Sequence, residues 1–244
     1  MAEQEVIKHV KAAVAISKDK TKKWQSKVLD ILLEIGIIVF AVTLSIWLHN
    51  WSDNNKDREE EREFLTGLKG DLQADMAEMK SDSAAYRTEQ KAIGYFLRVG
   101  AGEAINKDSM HFYRSMLFGD AQINPRGSRF EALKGSGRMS IIRNKRLLLD
   151  IADLYSKDFP FIEKRNVFVN SLRENALIPF VDSHLQLDAA GNETNWQEVL
   201  RMSQMRLLVR TQGTISNNIK AYAIGIKKCG DIIREIDEDR KSVV

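Results

Sequence analysis

The feature that most constrains this chain is an apolar run close to its N-terminal end. From Ile31 to Leu48 the run holds 18 residues with a single charge, Glu34. As a helix it is about 27 Å long, close to the ~30 Å hydrocarbon core of a bilayer. Trp47 and Trp51 lie at its C-terminal end, where interfacial aromatic side chains belong. No small-residue cleavage site follows the run, so we expect a retained transmembrane helix rather than a secretory signal.

On a helical wheel, the Glu34 carboxylate lies on the same face as other polar and small residues of the run. Acidic, small and hydroxyl side chains share one stripe, made of Asp30, Glu34, Ile37, Ala41, Ser45 and Leu48. Ionisable and small residues in membrane helices usually face other helices or water. One interpretation is therefore a homo-oligomer, with a ring of Glu34 carboxylates that favours cations in a pore. The alternative is that Glu34 reaches the headgroup region as part of an anchor, paired with Lys27 or with a lysine of a neighbouring subunit.

The remaining sequence predicts an all-α protein. Proline is rare, and apolar residues recur at helical spacing from Phe64 to Leu97, with Gly67 and Gly70 as the weakest points of that helix. Pro125, Pro160 and Pro179 are expected to separate shorter helices. The predicted order is a basic amphipathic segment (1–27), the transmembrane helix (28–51), a long helix (52–99), a helical head (100–206) and a returning C-terminal helix (207–244).

The C-terminal helix carries a strict heptad pattern. Steps of four and three connect Ile215, Ile219, Tyr222, Ile226, Cys229, Ile233 and Ile236. Such a seam packs along the first long helix, along a copy of itself, or along both, whereas the plainer interpretation is an amphipathic helix of a bundle. In either case Cys229, the chain's one cysteine, is predicted to be a small buried hydrophobe.

Local clustering of positive charge marks a candidate anion site. The formal net charge of the chain is only +3, but the segment Asn124–Arg146 contains seven cations and one acid. Its "KGSGR" offers backbone N–H groups, and Ser140 is a candidate cap for the helix that follows. The predicted nucleotide- or oligonucleotide-binding residues are Arg126, Arg129, Phe130 (as a stacking surface), Lys134, Ser136, Gly137, Arg138, Arg143, Lys145 and Arg146. The alternative is a solvated basic segment that pairs with acids of the long helices.

Motifs for catalysis are not apparent. The four histidines are scattered without metal-ligand spacing, and no phosphate-binding loop or nucleophile motif occurs. The sequence therefore predicts no catalytic residues, no metal site and no cofactor, and an enzyme is not expected.

Several of these stretches together resemble an uncharacterised family of bacterial single-span membrane proteins. The resemblance covers roughly residues 30–155. It rests on Glu34–Ile35 opening the span, Asn50–Trp51 closing it, Leu65–Asp75, Phe130–Leu133, Ser136–Gly137 and Ile142–Asn144. His49 stands where the family pattern has an amide. The layout is also similar to membrane effectors of antiphage nucleotide signalling, by analogy only.

The resemblance implies a single-pass protein of the bacterial inner membrane. Its expected function is that of a homo-oligomeric channel-like effector, a tetramer as a first guess, whose helical domain senses a nucleotide or a single-stranded oligonucleotide. The alternative is a non-enzymatic structural or adaptor protein of the envelope. Six lysines precede the span and four basic residues follow it closely, a slim bias toward a periplasmic soluble domain. The sensor interpretation requires a cytoplasmic one.

Overall fold

A computed structural model describes residues 24–119 and 122–242 of the chain. The predicted segment 1–27 lies outside these residues, except for its last four. Within the described residues the structure is helical, and the only β pairing is an isolated bridge between Leu187 and Glu193. The helices are α1 (Trp24–Gly100), α2 (Lys107–Phe118), α3 (Ser128–Gly135), α4 (Lys145–Asp153), α5 (Phe159–Leu172), α6 (Ile178–His184), α7 (Trp196–Arg201), α8 (Ser203–Gln212) and α9 (Ile215–Ser242). The all-α prediction is confirmed.

The chain divides into two compact units, Met1–Glu60 and Glu61–Val244. In the first unit, the described residues belong to α1. Its apolar window has a mean hydropathy of 2.5 and none of it is buried. This is the one helix of the described residues that is long and apolar enough to cross a membrane.

The second unit is built around two antiparallel helices, the part of α1 from Glu61 onward and α9. The Lys69 ammonium lies 2.6 Å from the Asp237 carboxylate, while the rings of Tyr86 and Tyr222 meet edge to face at 5.7 Å. Residue numbers thus rise along one helix as they fall along the other. The pairing extends over most of the length of α9.

The heptad seam of α9 is used inside its own chain. Ile215, Tyr222, Cys229 and Ile236 are completely buried, and α9 packs against α4 and α5 as well as α1. Burial also raises the pKa of the Cys229 thiol to about 12. The seam therefore packs within its own chain, along α1, α4 and α5, and these four positions are not available to a second copy of the chain.

Two of the three prolines do not end helices as predicted. Residues 145–184 form one uninterrupted helical run, with π-helical turns at Leu154–Asp158 and Arg173–Leu177. Pro160 and Pro179 each follow such a turn by two residues, since each is the second residue of its new α segment. A proline ring clashes with the carbonyl four residues earlier. One extra residue in the preceding turn moves that carbonyl, so the run bends around the proline instead of stopping.

A buried polar network ties three helices of the second unit together. The Tyr86 hydroxyl on α1 donates to the Asn166 side-chain oxygen on α5 (2.9 Å), and the Asn166 amide donates to the Tyr222 hydroxyl on α9 (2.8 Å). The Asn218 amide on α9 donates to Asn166 (3.1 Å). Tyr222 in turn donates to the Asp82 carboxylate at 3.3 Å. The two tyrosines and two asparagines are buried and satisfy one another, which fixes the register of α1, α5 and α9.

Candidate functional site

The glycine–serine stretch of the basic segment closes helix α3. Gly137 has φ +71°, in the left-handed region that favours glycine. The Gly137 N–H donates to the Lys134 carbonyl and the Arg138 N–H to the Leu133 carbonyl, the pattern of a Schellman cap. The Ser136 N–H donates to Ala132. Helix carbonyls thus already accept from these three N–H groups, and anion binding at this backbone stays a prediction.

The helix that follows has a different cap from the predicted one. Asn144, not Ser140, precedes α4, and its side-chain oxygen accepts from the Leu147 N–H at 3.1 Å. Ser140 lies within a 3₁₀ turn, Met139–Ile141. The helix N-terminus is thus already satisfied by a side chain of its own chain.

Arg126 is clamped to helix α1. Its guanidinium lies 2.7 Å from Asp75 and 3.3 Å from Glu78, and its backbone N–H also donates to the Asp75 carboxylate. Asp75 is only 2% exposed. Burial raises the pKa of Asp75 even though Arg126 opposes that rise, while the bond to Asp75 raises the pKa of Arg126. This clamp holds the loop before α3 against α1.

Two further arginines of the segment meet carboxylates of the same helix. Arg129 donates to Asp71 at 3.0 Å. The backbone N–H of Arg143 donates to Glu61 at 2.6 Å, and its guanidinium lies 3.9 Å from the same carboxylate. Acidic residues spaced along one face of α1 thus face the basic segment.

Three of the other four cations of the segment also have contacts, and the fourth, Arg138, is exposed. Arg146 lies 3.2 Å from Glu235 of α9, Lys134 lies 3.6 Å from Glu131, and the Lys145 ammonium donates to the Ile142 carbonyl. Four of the seven cations, Arg126, Arg129, Arg143 and Arg146, therefore meet acids of α1 or α9, as the alternative interpretation expected.

Phe130 does not offer a stacking surface. It is 2% exposed and stacks on Tyr155 at 4.7 Å with nearly parallel rings. The Lys134 ammonium lies 5.8 Å from its centroid. Burial raises the pKa of Tyr155. Phe130 is thus part of the core that holds α3 against the helical run, and its role at a ligand site stays a prediction.

The stripe on the first unit lies on an exposed helix. Ala41 and Ser45 are exposed, while Asp30 and Glu34 are half-buried. All four lie on α1, within or beside its apolar window. The structure contains one chain, so the role of this stripe in a pore or an oligomer interface stays a prediction.

Sequence reasoning missed a buried ion pair. Arg173, at the start of the second π turn, is 3% exposed and donates to the Glu89 carboxylate of α1 and to the Gly119 carbonyl. Burial raises the pKa of Glu89, and Arg173 opposes the rise. Both line a cavity of about 420 Å³ together with Asp82 and Tyr86. A signal existed, because Arg173 continues the spacing of the core-facing residues Ile162, Asn166 and Val169.

Among the described residues, no group of three or more histidine, cysteine or acidic side chains is placed to hold a metal ion. Comparisons with family models, with curated proteins and with solved structures find no match for this chain. The resemblance to a bacterial single-span family therefore stays a prediction.

Proposed function

We propose that this chain is a single-pass protein of the bacterial inner membrane that assembles into a homo-oligomeric, channel-like effector. One observation carries the proposal. The apolar window of α1 is entirely unburied, while the second unit closes a core of its own without it. An apolar helix with so little of its window buried needs lipid or another protein surface around it.

The stripe supports assembly rather than simple anchoring. Ionisable and small side chains of membrane helices usually face other helices, so copies that meet along this face would bring the Glu34 and Ser45 side chains of neighbouring subunits together. Ala41, between them, allows close approach of the helices. A ring of Glu34 carboxylates then favours cations at one mouth of the pore.

The proposed signal is an anionic ligand, a nucleotide or an oligonucleotide, in the cytoplasm, and antiphage defence is the proposed setting. The ion pairs of Arg129 and Arg143 with α1 carboxylates support a route for coupling. Phosphate oxygens compete with carboxylates for guanidinium groups, so a bound anion would release part of α1. That helix also contains the apolar window.

Sidedness and conductance test this proposal. A reporter fused after Val244 should be active in the cytoplasm, and a periplasmic result contradicts the nucleotide signal. In reconstituted bilayers, Glu34→Gln should lower cation selectivity without preventing assembly. Ala41→Phe, on the stripe, should reduce assembly, whereas the control Val39→Phe, on the opposite face, should not. Equal behaviour of the two phenylalanine variants argues against an interface along the stripe.

A second candidate function is favoured by the charge balance of the basic segment. In a structural or adaptor protein of the envelope, such cations would serve to hold the helices together. Four of them already pair with carboxylates of the long helices, namely Glu61, Asp71, Asp75 and Glu235. This candidate predicts a periplasmic reporter, no conductance and no ligand-dependent change in the helical domain. The same two experiments therefore separate it from the effector.

A further inference from the structure

A second cationic surface, outside the basic segment, is formed by α5 and α9. On α5, Phe161 and Phe168 are 53% and 52% exposed and lie seven residues apart, on one face and about 10 Å apart along the axis. Lys164 and Arg165 lie between them on the same face. Phenylalanines this exposed leave about half of their surface in water, which marks the face as a candidate interaction site.

Helix α9 continues this surface. Ile162 of α5 lies against Gly225 of α9, since a Cβ atom added to the glycine would come within 2.8 Å of the isoleucine. Phe161 and Ile224 directly precede these two residues. Ile224 is 60% exposed. The two helices thus bring an aromatic and an aliphatic side chain to the same exposed seam.

Lys220 and Lys227 flank Ile224 on α9, four residues before it and three after it, so they share its face. Both lysines are exposed, as is Lys164 of α5. Within residues 24–119 and 122–242 none of these three ammonium groups is within ion-pair distance of a carboxylate. This separates the α5–α9 surface from the basic segment, in which Arg126, Arg129 and Arg143 pair with acids of α1 and Arg146 pairs with an acid of α9.

Acidic groups at the border of the surface are already engaged. Asp153 pairs with Lys157 at 2.7 Å, Asp231 pairs with Arg234 at 2.8 Å, and Asp150 bonds to Lys228. Asp158, three residues before Phe161, also interacts with Lys228, which opposes the rise that burial causes in the Asp158 pKa. The exposed cations therefore face solvent with little local compensation. Because the surface is cationic, a second copy docking through the same face would place like charges opposite one another.

The arrangement fits a polyanion with flat apolar groups. Arg165 already holds its guanidinium carbon 5.9 Å from the Phe161 ring centroid, so a cation and an aromatic face occur side by side. A single nucleic-acid strand alternates phosphates, which lysine and arginine attract, with bases, which stack on aromatic rings. A duplex keeps its bases inside the stack, where the two phenylalanines cannot reach them.

We propose that the joined faces of α5 and α9 bind single-stranded oligonucleotide, with bases on Phe161 and Phe168 and phosphates on Lys164, Arg165, Lys220 and Lys227. This is a second anion site, separate from the basic segment through which the proposed signal acts. It does not depend on conduction, so binding and channel activity can fail separately.

The test uses the full chain in nanodiscs of zwitterionic lipid and a fluorescein-labelled oligothymidylate of ten nucleotides, followed by fluorescence anisotropy. Phe161→Ala and Phe168→Ala should each weaken binding about tenfold. Lys164→Gln should lower the slope of log Kd against log salt by about 0.7. The matched controls are Phe112→Ala, at a phenylalanine of α2 that is 54% exposed, and Lys91→Gln on α1. Both control variants should leave the affinity and its salt dependence unchanged.

Three results overturn the proposal. The first is equal affinity for the annealed duplex or for heparin, which would leave only charge attraction. The second is loss of binding in Arg129→Gln with no effect of the phenylalanine variants, which would return the ligand to the basic segment. The third is a change of oligomer mass in Phe161→Ala or Phe168→Ala with unchanged affinity, which would make the face a protein interface. Circular dichroism of each variant confirms that it is folded.

Discussion

Asn166 lies at the centre of the buried network, and its removal should have a large cost. The side chain makes three hydrogen bonds: it accepts from Tyr86 and Asn218 and donates to Tyr222. It is 2% exposed, so water cannot replace these partners. At about 1 kcal/mol for each lost hydrogen bond, Asn166→Ala should lower the free energy of unfolding by about 3 kcal/mol. For a unit of this size, that corresponds to a melting temperature about 6–12 °C lower.

Tyr86→Phe isolates the hydrogen-bonding part of this effect. It keeps the ring and removes only the hydroxyl, which donates to Asn166 and accepts from Asn218. We expect a cost of about 1–2 kcal/mol. Because Tyr86 and Asn166 share a bond, the double variant should cost less than the two single effects added together.

Urea unfolding of the full chain in detergent, followed through the emission of buried Trp196, measures these values. Asn217→Ala is the matched control, since Asn217 precedes Asn218 on α9 but is exposed, and it should stay within about 0.5 kcal/mol of the parent. The reasoning is refuted if Asn166→Ala costs no more than this control. It is also refuted if Tyr86→Phe and Asn166→Ala prove strictly additive.

Three further predictions concern the second unit. Gly70→Ala should stabilise this unit by about 0.5–1 kcal/mol, because Gly70 is a helical glycine with open space around it and alanine has the higher helix propensity. Gly100→Ala should destabilise it, because the added Cβ atom would lie 2.5 Å from a backbone oxygen. The two variants should therefore shift the melting temperature in opposite directions. Cys229, buried and with its pKa raised to about 12, should resist alkylation at about pH 8 until urea unfolds the chain. Burial raises the pKa of Asp75 above 3.8 in the folded state. The Asp75 carboxyl therefore stabilises the folded state most below pH 3.8, and this contribution is lost as the pH rises through the folded-state pKa. The free energy of unfolding of Asp75→Asn should accordingly vary less with pH than that of the parent, and an identical pH profile would contradict the shift.

Periodicity made much of the fold predictable. The heptad spacing of α9 identified Ile215, Tyr222, Cys229 and Ile236 as one apolar face, and all four are buried. The apolar run from Ile31 to Leu48 was equally plain, since length and hydropathy are local properties of a sequence.

Partners distant in sequence were not predictable from local patterns. Arg126 and Asp75 are 51 residues apart and meet only because α3 folds back on α1. A cluster of cations looks the same in a sequence whether carboxylates lie opposite it or not. Pro160 shows a second limit, because the residue alone indicates a helix end, and only the packing of α4 and α5 on α9 favours a bent run with a π turn instead.

The ion pairs of the basic segment differ in how easily a ligand would open them. Arg129 and Asp71 are 41% and 24% exposed, so water screens the pair and it contributes about 1 kcal/mol at most. Asp75, by contrast, is buried and accepts from both the backbone and the side chain of Arg126. Removing Arg126 from it would leave a desolvated carboxylate without its cation. An anion that acts at the basic segment therefore displaces Asp71 from Arg129 before it disturbs Asp75, and the Arg126 clamp keeps the segment on α1 while the outer pair exchanges.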